Sequence, residues 1–173
     1  MKRIKLELKN AFGGSYIINA LPRKKVEQII NDIKWEEVIK TAWDKHIDDY
    51  GRTEVRLDVT TGQFIYANYT QNSGSIESHF IILYVISENT LGNISFQYEG
   101  DILSAEEYAE CQKLIKSGDA SNIEQAMDKL KIDFNNRFKD FLIWCWHEGD
   151  KDEAMRNIGE QIDYIYGEKI LCC

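Results

Sequence analysis

The sequence predicts an α+β fold: an antiparallel sheet of about four to six strands, packed by an N-terminal helical segment and a C-terminal helical block. Three observations carry this expectation. Apolar residues alternate with polar ones near the start and through the middle of the chain, which is the period of a strand with one wet face. They recur in steps of three and four on either side of that middle, which is the period of a helix. The two patterns fall in separate blocks, which argues against a doubly wound parallel sheet.

Ile4, Leu6 and Leu8 alternate with Lys5, Glu7 and Lys9, so residues 2–9 read as a strand. The paired glycines of AFGGS, residues 11–15, suit a turn, and Tyr16–Ala20 returns as the second strand of a hairpin. Pro22, the only proline, stands where a helix begins, in the first turn where no N–H is needed. Val26, Ile29, Ile30 and Ile33 continue at helical spacing. A further helix is predicted over Trp35–Tyr50, with Trp35, Val38, Ile39, Ala42, Trp43, Ile47 and Tyr50 on its apolar face and Gly51 as its stop.

Val55, Leu57 and Val59 alternate with Glu54, Arg56 and Asp58, again as a strand. Thr60-Thr61-Gly62 is a short turn and Gln63–Thr70 the return strand. QNSGS, residues 71–75, is a loop. His79–Ile86 is almost continuously apolar, which predicts the central strand, covered on both faces. SENTLGN turns the chain again, and Ile94–Tyr98 is the next strand of a meander.

Ser104 followed by Glu107 is a capping-box signature for a helix that runs to about Ser117 and ends at Gly118. Ser121 with Glu124 repeats the signature. It opens one long helix on which Ile123, Met127, Leu130, Phe134, Phe138, Phe141 and Cys145 step by three or four. That helix ends in FLIWCWHEGD, with Cys145 on the apolar stripe, Trp144 and Trp146 broadening it, and Gly149 as the stop. A final helix over Asp152–Tyr166 turns Ile158, Ile162 and Ile165 inward.

At 173 residues, with ordinary apolar content, the chain is expected to form one domain over residues 1–173 with a full core. The basic start, MKRIKLELK, leads into strand alternation rather than a continuous apolar region, so it does not read as a signal peptide. The longest apolar run, Phe80–Ile86, is too short to span a bilayer. A cytoplasmic location with reduced cysteines is therefore expected. Abundant Ile, Lys and Asn suggest an AT-rich bacterial or phage genome.

The net charge of −8 is unevenly spread. Residues 1–34 carry eight Lys/Arg and three Asp/Glu; residues 35–173 carry thirteen and twenty-six. Phosphates require a basic surface, so direct nucleic-acid binding is disfavoured and a basic protein partner is favoured. Solubility alone also favours an acidic surface.

No pattern of reactive residues emerges. His46, His79 and His147 each lack a second histidine at metal-binding spacing, and Cys111 and Cys145 stand alone. Phosphate-binding glycine loops and the G-x-S-x-G elbow are absent. Asp44, Asp48 and Asp49, with Glu36 and Glu37, read as solvated charge on a helix face. Cys172 and Cys173 do not fit a prenylation signal, which needs cysteine at the place of Ile170. The sequons Asn68-Tyr69-Thr70 and Asn93-Ile94-Ser95 carry no meaning in a cytoplasm. No cofactor, no metal and no catalytic residue is expected.

One interval stands out. No Lys or Arg occurs between Arg56 and Lys113, and five acids, Glu99, Asp101, Glu106, Glu107 and Glu110, lie within it. A second acidic group, Glu148, Asp150, Asp152 and Glu153, flanks Trp144 and Trp146. Acids beside aromatic anchors suit a surface for a basic, nucleic-acid-handling protein, with carboxylates standing in for phosphates. The expectation is a non-enzymatic acidic protein-binding module, such as a phage- or mobile-element-encoded inhibitor of a host-defence effector of CRISPR or restriction type. An immunity protein that neutralises a toxin is the nearest alternative. The alternative from another class is a small enzyme or ligand-binding domain, its pocket between the sheet and the long helix and lined by Tyr66, His79, Tyr84 and Tyr98. A structural oligomer joined through the first strand is the third.

Overall fold

The computed structural model describes residues 1–9, 13–46, 51–69, 79–87 and 96–167. The chain divides into two compact units: residues 1–90 with 149–173, termed the sheet unit, and residues 91–148, the helical unit. Among the described residues there are two antiparallel sheets, of two and three strands, and six α-helices, an α+β architecture.

The sheet unit opens with a hairpin, β1 (Ile4–Lys9) and β2 (Ser15–Ala20), in the register Leu6↔Ile18 and Leu8↔Tyr16. Alternation works here as the sequence reads: Leu6 and Leu8 are fully buried while Lys5, Glu7 and Lys9 stay exposed. Leu21 N–H donates to the Val59 carbonyl at 2.8 Å and leads the chain into two helices. Helix α1 (Arg23–Asn31) starts after Pro22, which is itself the cap residue, and buries Val26 and Ile30. Helix α2 (Trp35–Lys45) buries Trp35, Val38, Ile39 and Ala42. It ends five residues before the predicted Tyr50, because His46 adopts extended backbone and its Nδ1 bonds Thr53 Oγ1 at 2.8 Å.

The second sheet comprises β3 (Arg52–Asp58), β4 (Phe64–Tyr69) and β5 (Phe80–Ile86), in the order β4-β3-β5. The middle strand is thus β3, not the apolar β5 that the sequence predicts. Thr53 to Leu57 are all buried, although that run contains Glu54 and Arg56. The charges are neutralised internally: Glu54 lies 2.7 Å from Arg56 and 2.8 Å from Arg52. A buried carboxylate is tolerated only when it is paired in this way, and alternation alone cannot reveal the pairing. In the turn to β4, Asp58 accepts from Thr60 N–H and Oγ1, and Gly62 holds φ +77 with Leu21 and Ile29 side chains about 3 Å from where a Cβ would stand. Opposite β3, Val55 pairs with Tyr84 and Arg56 with Ile82, so Leu83 is an extra residue, a bulge.

Helix α6 (Lys151–Tyr166) completes this unit, with Ile158, Ile162 and Ile165 buried as its spacing predicts, and Tyr166 buried beside them. Its Gln161 side chain bonds the outer backbone of β5 twice, accepting from Ile82 N–H at 2.8 Å and donating to the Ile82 carbonyl at 3.0 Å. The Tyr166 hydroxyl donates to the Leu21 carbonyl at 2.7 Å, and burial pushes its pKa up to about 12.

The helical unit contains α3 (Ala105–Lys116), α4 (Ile123–Lys129) and α5 (Phe134–Cys145). The Ser104/Glu107 capping box is present. The second cap falls one residue later than predicted: Asn122, not Ser121, accepts from the Gln125 N–H. The long helix predicted from there is two helices. Lys131 adopts φ +57 and Asp133 caps a new start by accepting from the Asn136 N–H. Hydrophobic steps of three and four continue across the break, so periodicity alone does not detect it. Phe96 and Gln97 lie outside any strand and Tyr98–Ile102 forms a compact turn, in contrast to the predicted strand Ile94–Tyr98. Glu99 (φ −75°, ψ 121°) and Gly100 (φ 99°) give that turn type II character, which requires glycine at its third residue. A wider helical turn, Trp146–Asp150, contains Gly149 and leads into α6.

Ala11 and Phe12 of the predicted first turn, Ile47, Asp48, Asp49, Tyr50, Thr70, the loop at 71–75, the predicted turn at 88–93, the start of the predicted strand at 94–95, the sequon at 93–95, Ile170, Cys172 and Cys173 lie outside the described residues.

Candidate functional site

The helical unit carries eleven Asp/Glu and six Lys/Arg, a net −5. Helix α5 gives this charge an aromatic spine. Phe134, Phe138 and Phe141 follow one face at spacings of four and three, and Trp144 extends the row. Their rings are in sequential contact: Phe134–Phe138 at 5.6 Å, Phe138–Phe141 at 5.9 Å and Phe141–Trp144 stacked at 6.1 Å. Phe96 packs against Phe134, Phe138 and Phe141 and leads to Tyr98 at 5.3 Å. Phe138 is fully buried, but Trp144 is 57 % exposed. A large indole that is held by stacking yet open to solvent is the type of side chain that anchors interfaces.

The tryptophans at 144 and 146 play different roles. Trp146 is 2 % exposed and belongs to the core. Cys145 is half-buried rather than a core residue, since consecutive helical positions point about 100° apart.

The five acids separate by environment. Glu107 is committed to structure: Arg137 grips both of its oxygens, at 2.8 and 3.1 Å, and it also accepts from the Ser104 N–H. The Arg137 guanidinium, followed by the Ser104 backbone bond, lowers the Glu107 carboxyl pKa from 4.5 to about 2. Glu110 pairs with Lys113 at 2.8 Å. Asp101 accepts from the Gln97 N–H at 2.7 Å and closes the turn. Glu99 and Glu106 are exposed, with no ion-pair partner among the described residues, as are Glu148 and Asp150 beyond the end of α5. The file of rings connects these groups: Tyr98, beside Glu99, lies at one end, and Trp144, four residues before Glu148, lies at the other.

The depressed pKa of Glu107 has a measurable consequence. Its contribution to stability is complete above the ordinary carboxyl pKa of 4.5 and is lost as pH falls through about 2. Solvent at Arg137, whose side chain is 41 % exposed, limits that contribution to about 1 kcal/mol. Urea unfolding of Glu107→Gln at several pH values is expected to show roughly that deficit at neutral pH. The difference from wild type should close between pH 4.5 and 2. A deficit that is constant with pH would show that the pair is not the cause.

Of the four candidate pocket residues, Tyr66, His79 and Tyr84 belong to the sheet unit and Tyr98 to the helical unit. Tyr66 and Tyr84 flank Val55 in one cross-strand row, and Lys45 of α2 stands 5.2 Å over the Tyr66 ring. His79 Nδ1 bonds the Tyr16 hydroxyl at 3.3 Å, and its ring lies 4.1 Å from that of Phe80. Tyr98 is in the helical unit, where its hydroxyl donates to Glu124 at 3.1 Å; burial, with help from Glu124, raises its pKa to about 12.

Cys111 is fully buried, and its thiol is raised first by burial and then by Glu107 and Glu110, the reverse of an activated nucleophile. No group of three or more metal-ligating side chains converges among the described residues, and no helix among them is long and apolar enough to cross a membrane. No protein-family model, curated protein or solved structure matches the chain.

The entry of Phe96 into the aromatic file, the Arg137 grip on Glu107 and the Tyr98 bond to Glu124 escape a reading of the sequence. The spacing of Phe134, Phe138 and Phe141 is visible there, but Phe96 joins them only through tertiary packing.

Proposed function

We propose that this chain is a non-enzymatic, acidic protein-binding module whose helical unit engages a basic protein. The observation that carries the reading is Trp144, exposed yet stacked on Phe141 in a unit of net −5 with unpaired carboxylates at both ends of the ring file. The indole supplies the anchor, while Glu99, Glu106 and Glu148 supply the field that steers a basic surface and aligns it. The partner is a nucleic-acid-handling enzyme whose phosphate-binding cleft these carboxylates occupy. Host-defence effectors of CRISPR or restriction type are the first targets to test, and a toxin is the second.

The test is capture from a nuclease-treated lysate that contains such effectors, repeated with variants and followed by a cleavage assay on the captured enzyme. Trp144→Ala is expected to weaken the complex by about 2 kcal/mol, roughly thirtyfold. Joint replacement of Glu99, Glu106 and Glu148 by Gln should slow association and flatten its salt dependence. Equal capture by wild type and all of these variants would overturn the reading.

A further inference from the structure

The sheet unit contains a cleft of about 530 Å³ lined by Phe80 of β5 and by Asn157, Glu160, Gln161, Tyr164 and Ile165 of α6. The helical residues lie three, four, seven and eight positions after Asn157, so they share one face of α6. The volume is within the usual range for small-molecule sites.

The chemistry of the lining defines what it accepts. Phe80, Tyr164 and Ile165 give it an apolar, largely aromatic surface. Gln161 has its amide committed: Oε1 accepts from Ile82 N–H, and Nε2 donates to the carbonyls of Ile82 and Asn157. Glu160 is the one charged residue among the described residues of the lining; it is exposed and has no ion-pair partner among them. Nearby charges are otherwise engaged, since Asp163 pairs with Arg23 at 2.5 Å and Arg56, 5.7 Å over the Phe80 ring, is neutralised by Glu54. A carboxylate beside aromatic rings, with no cation among the described lining residues, attracts a positive ligand by charge and by the ring quadrupole.

We propose that this cleft binds a small, flat organic cation of the amidine or guanidine class, with its charge at Glu160 and its plane against the exposed Tyr164 ring. This site is independent of the protein-binding surface on the helical unit, and failure of either proposal leaves the other standing.

The experiment is an amide NMR titration of the full chain with benzamidine, using benzamide and benzoate as neutral and anionic controls of the same shape. Benzamidine is expected to give saturable shifts at Ile82, Asn157 and Gln161, with a dissociation constant on the order of 1 mM for a ligand of this size. Benzamide should bind at least about tenfold more weakly, and benzoate should produce no saturable shift. Glu160→Gln should reduce benzamidine affinity by a similar factor, and Tyr164→Ala should weaken it as well. Both positions are exposed, so the variants are expected to unfold at wild-type temperature, which is checked in parallel. Equal affinity for benzamidine and benzamide, full affinity in Glu160→Gln, or no saturable shift with benzamidine would each overturn the proposal.

Discussion

Glu54→Ala is expected to destabilise the sheet unit by about 3–5 kcal/mol, because it removes the carboxylate from a buried ion pair with Arg56. Glu54 receives Arg52 on one carboxylate oxygen and Arg56 on the other, each at 2.8 Å or less, and its side chain is 4 % exposed. Arg52 can turn to water, since half of its side chain is exposed, whereas Arg56 is 11 % exposed and lies against Phe80. The cost thus falls mainly on Arg56. Chemical denaturation of Glu54→Ala, Arg56→Ala and the double variant isolates the pair. The double variant should be more stable than the two single losses added together. Strict additivity would mean that Glu54 and Arg56 do not interact in solution.

Phe138→Ala is expected to cost a further large amount, about 3–5 kcal/mol for deletion of a fully buried aromatic ring. Phe138 touches Phe96, Phe134 and Phe141 and lies at the centre of the helical unit's ring cluster. Through Phe141 it also supports Trp144. The variant should show a lower melting temperature and altered near-ultraviolet dichroism from the aromatic rings. Phe138→Leu, which retains much of the volume, should recover over half of the loss. A loss below about 1 kcal/mol for Phe138→Ala would mean that the cluster collapses around the gap.

These two residues mark how far the sequence could be read. Phe138 lies on a 3.6-residue period and is recognisable as core without any structure. Glu54 is charged and alternates with apolar neighbours, so it reads as solvent-facing, yet it lies in the central strand. Its burial depends on Arg52 and Arg56 closing over it, a tertiary fact with no periodic signal. The same limit explains the long helix that proved to be two: Ile123, Met127, Phe134 and Phe138 stay in phase, while the break resides in the backbone at Lys131 and the cap at Asp133. The capping box at Ser104 was legible because all of its partners lie within four residues. Within the candidate surface, the acids and tryptophans could be named from the sequence. Their division into committed Glu107, exposed Trp144 and buried Trp146 required the fold.

The two bonds from Gln161 to Ile82 also bear on how this protein could fail. An outer strand with unsatisfied backbone groups is a template on which other chains can add and grow into aggregates. On β5, a side-chain amide occupies the place that an incoming strand would take. That protection lasts only while α6 stays docked. Partial unfolding in which α6 peels away would uncover the apolar segment Phe80–Ile86 and its backbone together, converting a local opening into a seed for assembly.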